Sequence, residues 1–269
     1  MNQLYQPFQP LLTHGGQHRF GLTVQQHPAR KSLAGVVHSY LQVAISKPTP
    51  YTVIPDGSQA IFISAESIRV GGAHRQALDV QIQEPGDYFG IRFYPGALRH
   101  FFNLNLSDIT DQFVGSDYFP CRYFGDLHYY LYREDDFRQR VRVCDQWLLR
   151  HFTPQPFCLF DAALALIYQS VGNVDIVQLA KKIGVSRRHL NRLFQQFTGL
   201  STKAFAQIIR LQSACQQLYV NPDNSLEIAA TLGFFDQAHL LRQYKRDLLL
   251  NPRSLAKRFM SDFYNHQGK

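Results

Sequence analysis

Two different spacings of apolar residues divide the chain. Up to about residue 120 the apolar runs are short and bounded by turn residues, which is the texture of strands. In "TVIPDGSQAIFIS" a Pro-Asp-Gly turn precedes a short apolar run. In "DYFGIRFYPGALRHFF" a strand is predicted over Tyr88–Phe93, followed by a turn. Pro95 then fits the first turn of a short helix, where its missing N–H costs nothing. Gly71-Gly72 and Pro85-Gly86 read as further turns.

Near residue 124 the period changes. "EDDFRQRVRVCDQWLLRHF" places Phe137, Val141, Cys144, Leu148 and Phe152 on one stripe of a helix. This stripe is expected to pack on its own domain, with a dimerisation element as the alternative. Thr153–Pro156 ends it, and from Leu159 onward the pattern is helical with short polar breaks. The expected organisation is a β-rich domain over 1–123, an amphipathic helix and linker over 124–157, and a helical domain over 158–269.

The helical part contains a repeat. Ala180 and Gly184 match Ala229 and Gly233 at an offset of 49, and His189, Leu190, Arg192 and Phe194 match His239, Leu240, Arg242 and Tyr244 at an offset of 50. Each copy, about 176–197 and 226–247, has a short first helix with a small residue where helices approach closely. A glycine follows at its C-terminus, where a left-handed residue is cheap. A capping residue (Ser186, then Asp236) opens a second helix. That is helix-turn-helix anatomy written twice. Between the copies Ser201 caps a long helix with Phe205, Ile208, Leu211, Cys215 and Leu218 on one face, and Asn221-Pro222 ends it. A helix of ~17 residues spans about 25 Å. It would hold two reading heads on one side of a duplex, where successive major grooves lie about 34 Å apart.

Charge sharpens this picture. Residues 1–160 carry 14 Lys and Arg against 13 Asp and Glu, an excess of one; residues 161–269 carry 14 against 7, an excess of seven. The 47 residues from Ile176 to Pro222 contain no acid. A surface tuned only for solubility mixes signs, and phosphate is the commonest polyanionic partner. In contrast, the four cysteines form no C-x-x-C pair and are expected to be reduced, in a cytoplasmic protein. No long apolar run is present to cross a membrane, and the first residues lack the basic and apolar regions of a signal peptide.

The stretches "LAKKIGVSRRHLNRLFQQFTGLS", "IIRLQSACQQL" and "IAATLGFFDQAHLLRQYKRDLLLNP" resemble the DNA-binding domain of AraC/XylS-type transcriptional regulators. The second-motif signature stands here as Ile228-Ala229, Gly233-Phe234, Asp236-Gln237, Arg242-Gln243-Tyr244-Lys245 and Pro252. There are departures. Phe235 stands where a small polar residue is usual, Ala238 replaces a serine, Leu249 a glycine and Thr202 a proline. The second motif is therefore expected to read bases less fully and to lean on phosphates. "IPDGSQAIFI", "YFGIRFYPGA" and "NLSDITDQ" resemble more weakly an N-terminal domain of some such regulators. That resemblance implies a cupin-like or partial barrel that senses a small effector.

The fold expected is α+β in two domains, the second all-α with two helix-turn-helix motifs joined by a linker helix. The candidate DNA contacts are Arg187, Arg188, Asn191 and Arg192 on the first head, and Gln237, His239, Arg242, Lys245 and Arg246 on the second. Arginine suits guanine bidentately and asparagine suits adenine, while phosphate and sugar take half or more of such hydrogen bonds. Asp56, Arg92 and Tyr94, at strand ends or turns, are the candidate effector contacts. Neither the eleven histidines nor the absence of a phosphate loop or nucleophile elbow points to a metal, a cofactor or catalysis. The implied partners are double-stranded promoter DNA, a small-molecule effector, a second copy of the chain and, for an activator, RNA polymerase. The alternative is a small-molecule-binding or catalytic β-barrel whose basic half is an interaction module.

Overall fold

The computed structural model describes residues 5–13, 17, 18, 20–119 and 124–249. Cys121 and Pro252 lie outside the described residues. The short apolar runs build eight strands: β1 (Leu22–Pro28), β2 (Val37–Ile45), β3 (Thr49–Val53), β4 (Gln59–Ile63), β5 (Ile68–Gly71), β6 (Leu78–Ile82), β7 (Gly86–Phe93) and β8 (Phe113–Gly115). Six form one antiparallel sheet in the order β1-β2-β7-β4-β5-β8, and β3 pairs with β6 as a separate two-stranded layer. The result is two β layers, the larger open at its β1 and β8 edges.

Register decides which side chains meet. Ile61 pairs across with Ile91, and Ile63 with Phe89. These residues and Tyr40 turn to one face, where they form a core with α1 (Phe124–Leu131) and α2 (Phe137–His151). The expected stripe of Phe137, Val141, Cys144 and Leu148 lies in that core. It packs on its own domain, as its spacing indicated. The segment 124–151, expected to connect the domains, is thus the helical layer of the first. Tyr40 Oη donates to Asp145 at 2.6 Å, and Arg140 to Gln42 at 3.0 Å, tying α2 to the sheet.

Two turn expectations are corrected. Gly71 continues β5 and pairs with Phe113, and Gly72 N donates to Gln112 O at 3.0 Å. A Cβ on Gly71 would stand 2.8 Å from the Phe113 ring, so the glycine pair serves close approach rather than reversal. Pro95 does not open a helix. It sits in a turn before Gly96, whose φ of +78° starts the 3-10 helix at Ala97.

The second domain contains α3 (Leu159–Gln169), α4 (Ile176–Ile183), α5 (Arg187–Thr198), α6 (Thr202–Val220), α7 (Ser225–Thr231) and α8 (Gln237–Leu248). Leu211, Ala214, Cys215 and Leu218 of α6 share one core with Leu11, Leu22, Val43 and Ile54 of the first domain. Gln212 of α6 is buried and reaches both ways. Its Nε2 donates to Pro55 O at 2.6 Å, and its Oε1 accepts from Phe8 N at 2.7 Å. The two domains therefore share an apolar core and hydrogen bonds. Cys144 and Cys215 are buried free thiols, and Cys158 is half-buried.

Candidate nucleic-acid interface

Each motif closes for local reasons. Asp175 caps α4 by accepting from Gln178 N, and Ser186 caps α5 by accepting from His189 N. Asp236 does the same for α8. Gly184 and Gly233 take φ of +79° and +70° at the ends of the first helices. Ala180 and Ala229 are buried beside Leu190 and Leu240, so each helix pair packs closely. Phe194 and Tyr244 fill the same place in the two copies.

The polar faces separate into two groups. Arg187, Arg188, Arg192, Arg242 and Lys245 are exposed. Among the described residues Arg187 and Arg188 engage no carboxylate, Arg192 meets the His189 ring at 3.0 Å, and Arg242 stands 3.9 Å from Asp236. The others already have structural work. Asn191 Oδ1 accepts from Thr202 N at 3.1 Å and so ties α5 to the first turn of α6. This accounts for Thr202, because a proline there would offer no N–H. Gln237 donates to Ser225 at 2.6 Å across its motif. His239 accepts from Phe235 N at 3.3 Å and lies edge-on to Phe234. Arg246 binds Asp247 through two bonds of 2.6 and 2.9 Å. Arg210 lies 4.3 Å over Phe234 and donates to Gly233 O, which braces the second turn from α6, and burial lowers its pKa.

The C-terminal ends of both second helices are held by the first domain. Thr198 O accepts from Gln59 and Gly199 O from Thr110 at 2.7 Å. Arg246 O accepts from Gln76 at 2.9 Å and Asp247 O from Ala77 N at 2.7 Å. Helix-end carbonyls that lack partners within the helix are thus satisfied across the domain boundary. The N-terminal ends, with Arg187, Arg188 and Gln237, stay exposed.

On the sensory side, Asp56 and Arg92 pair at 2.7 Å with both side chains 7% exposed. Asp56 also accepts from Gln9 at 2.7 Å, from Ser58 N at 2.9 Å and from Ser58 Oγ at 2.6 Å. A carboxylate offers about four acceptor positions, so none remains for an effector. The pair holds the strand ends together, and both residues also line a small cavity of about 50 Å³. Tyr94 packs edge-on to His38, 5.2 Å away. What sequence reasoning missed is an apolar cavity of about 350 Å³ between the β3–β6 layer and the six-stranded sheet. Leu41, Val43, Phe62, Val80, Ile82 and Tyr88 line it, with Arg69 and Glu84 also in its wall.

Comparison with known proteins agrees with this geometry. Residues 179–258 match the family described as "Helix-turn-helix domain", and residues 25–115 match "Domain of unknown function (DUF6597)". The chain is 33% identical over 106 residues to an uncharacterized HTH-type transcriptional regulator of Haemophilus influenzae, covering 39% of this chain and 36% of that protein. It is 34% identical over 85 residues to the HTH-type transcriptional regulator MtrA of Neisseria gonorrhoeae, covering 32% and 28%. The chain thus spans about a third of the length of these curated relatives. Among solved structures, an AraC-type regulator from Chromobacterium violaceum aligns with 37% of this chain and 91% of its own, at 26% identity and a TM-score of 0.34. ToxT from Vibrio cholerae aligns with 89% and 98%, at 10% identity and a TM-score of 0.46. The paired motifs thus fall within, or directly beside, the region that matches the helix-turn-helix domain, residues 179–258.

Proposed function

We propose that this protein is a sequence-specific DNA-binding transcriptional regulator whose α5 and α8 enter neighbouring major grooves. One observation carries the reading. Two motifs of matched caps, glycines and buried residues each present an exposed polar face with cations on its second helix. Arg188 and Arg192 are the base readers of the first head, and Arg187 takes a phosphate at its helix start. Arg242 and Lys245 serve the second head. Asn191, Gln237, His239 and Arg246 act mainly by fixing the heads, since each already holds a partner in its own fold.

Control by a small molecule follows from the connection between cavity and heads. Val80 and Ile82 of β6 line the cavity, and Gln76 and Ala77, just before β6, bond the last turn of α8. A ligand that moves β6 moves the partner of that turn. DNA and effector would then each change the affinity for the other by the same factor.

The test is binding of the full chain to random-sequence and selected duplexes across salt concentration. Six or more phosphate contacts would lower affinity about a thousandfold or more between roughly 50 and 200 mM salt. No binding at the low-salt end overturns the proposal.

A further inference from the structure

The two heads differ at the point where a recognition helix meets the bases. Val185 N donates to Ala180 O at 3.0 Å in the first motif, and Phe234 N to Ala229 O at 2.9 Å in the second. Phe234 is therefore the counterpart of Val185, and it is buried. The residue inserted into the second turn is Phe235, and its side chain is 90% exposed. Among the described residues no other large apolar side chain is as exposed. It is not on a loose loop. Its N–H donates to His239 in the first turn of α8, His239 leans on Phe234, and Asp236 caps the same turn.

The neighbours of Phe235 point the same way. Ala238 is exposed one step into the helix where the first head carries Arg188, and Gln237 stands where it carries Arg187. The tip of α8 thus exposes Phe235 and Ala238 beside Asp236 and Gln237, and its cations Arg242 and Lys245 follow one to two turns later. The N-terminal residues of a recognition helix face base edges, and the apolar feature of the major groove is the thymine C5-methyl. Arg188 and Arg192 suit the acceptor pair of guanine instead.

We propose that Phe235, supported by Ala238, reads thymine methyl groups, so that the binding site has a guanine-reading half under α5 and a methyl-reading half under α8. This rests on the DNA-binding reading above. Phe235 determines specificity in one half only, and the cations behind it supply the phosphate contacts that hold it there.

The experiment selects a binding site from a random duplex pool with the full chain, then replaces thymine by uracil in one half at a time. Uracil lacks only the methyl group. Wild type is expected to lose about fourfold in affinity for each contacted methyl removed, in one half and not the other. Phe235→Ser is expected to weaken binding to the thymine duplex and to bring the uracil penalty below about twofold. Phe235→Leu keeps a partial penalty. Because the side chain is solvent-exposed, both variants should melt with wild type. A wild type indifferent to uracil, an equal penalty in both halves, or a Phe235→Ser protein with unchanged affinity and preference overturns the proposal; the last result would assign the residue to a protein partner. Recovery of no duplex overturns the DNA-binding reading itself, which keeps the two failures apart.

Discussion

Removing the Asp56 carboxylate would leave the Arg92 guanidinium buried without its counter-ion. The pair is 2.7 Å long with 7% exposure on each side, and Gln9 and Ser58 also lose their acceptor. Breaking a buried pair from one side costs about 3–5 kcal/mol. For a protein of this size each kcal/mol is worth roughly 2–4 °C, so Asp56→Ala should melt about 6–20 °C below wild type. Urea unfolding followed by circular dichroism, together with thermal melting, measures this. Replacing both members with apolar residues of similar volume, as Asp56→Leu with Arg92→Met, should recover much of the loss, because no uncompensated charge then remains. The reasoning also separates structure from sensing. If Asp56 instead served an effector, Asp56→Ala would stay within about 1 kcal/mol of wild type and change only ligand response, and that result would refute the account.

Four further outcomes are expected. Burial first, and then the nearby Arg92 charge, hold His38 near a pKa of about 4, and burial also lowers His74 and His100. An unfolded histidine takes its proton near pH 6.5, so the unfolded chain binds more protons below that point. Stability should be full above about pH 6.5 and fall as pH drops toward 4, with a shallower slope in His38→Asn; urea midpoints against pH check the sign. Leu249 holds φ of +60° after α8, a conformation that strains a residue with a Cβ, so Leu249→Gly should stabilise by up to about 1 kcal/mol in the same unfolding assay. Asn191→Ala should cost about 0.5–2 kcal/mol of stability through the lost bond to Thr202. Arg192→Ala, in contrast, should leave stability unchanged and weaken specific binding far more than binding to random DNA; an equal loss on both would remove its base-reading role.

Much of the helical domain was legible because its determinants are local. Ser186, Ser201 and Asp236 announce helix starts by themselves, and Gly184 and Gly233 announce turns. The exposed arginines of the first head could be found from the repeat alone. The functions of Asn191 and Gln237 could not, because their partners Thr202 and Ser225 lie 11 and 12 residues away and only the fold brings them within reach. The sensory half depends on long-range pairing, and there the reading was weaker. Gly71-Gly72 carries a turn's composition, yet its neighbour Phe113 makes it a strand. Asp56 and Arg92 looked available because each sits at a strand end, and only the register of β4 and β7 places them against each other. The cavity is a gap between two sheets, which no local pattern encodes.

Hydroxyl-radical footprinting of the full chain on a duplex that it selects tests the central claim most directly. Two heads entering neighbouring major grooves should protect two patches on one face of the duplex, about 10 base pairs apart. Arg188→Ala with Arg192→Ala should erase one patch first, and Arg242→Ala with Lys245→Ala the other. One continuous patch that both pairs of substitutions weaken alike, or no protection at all, would contradict the account.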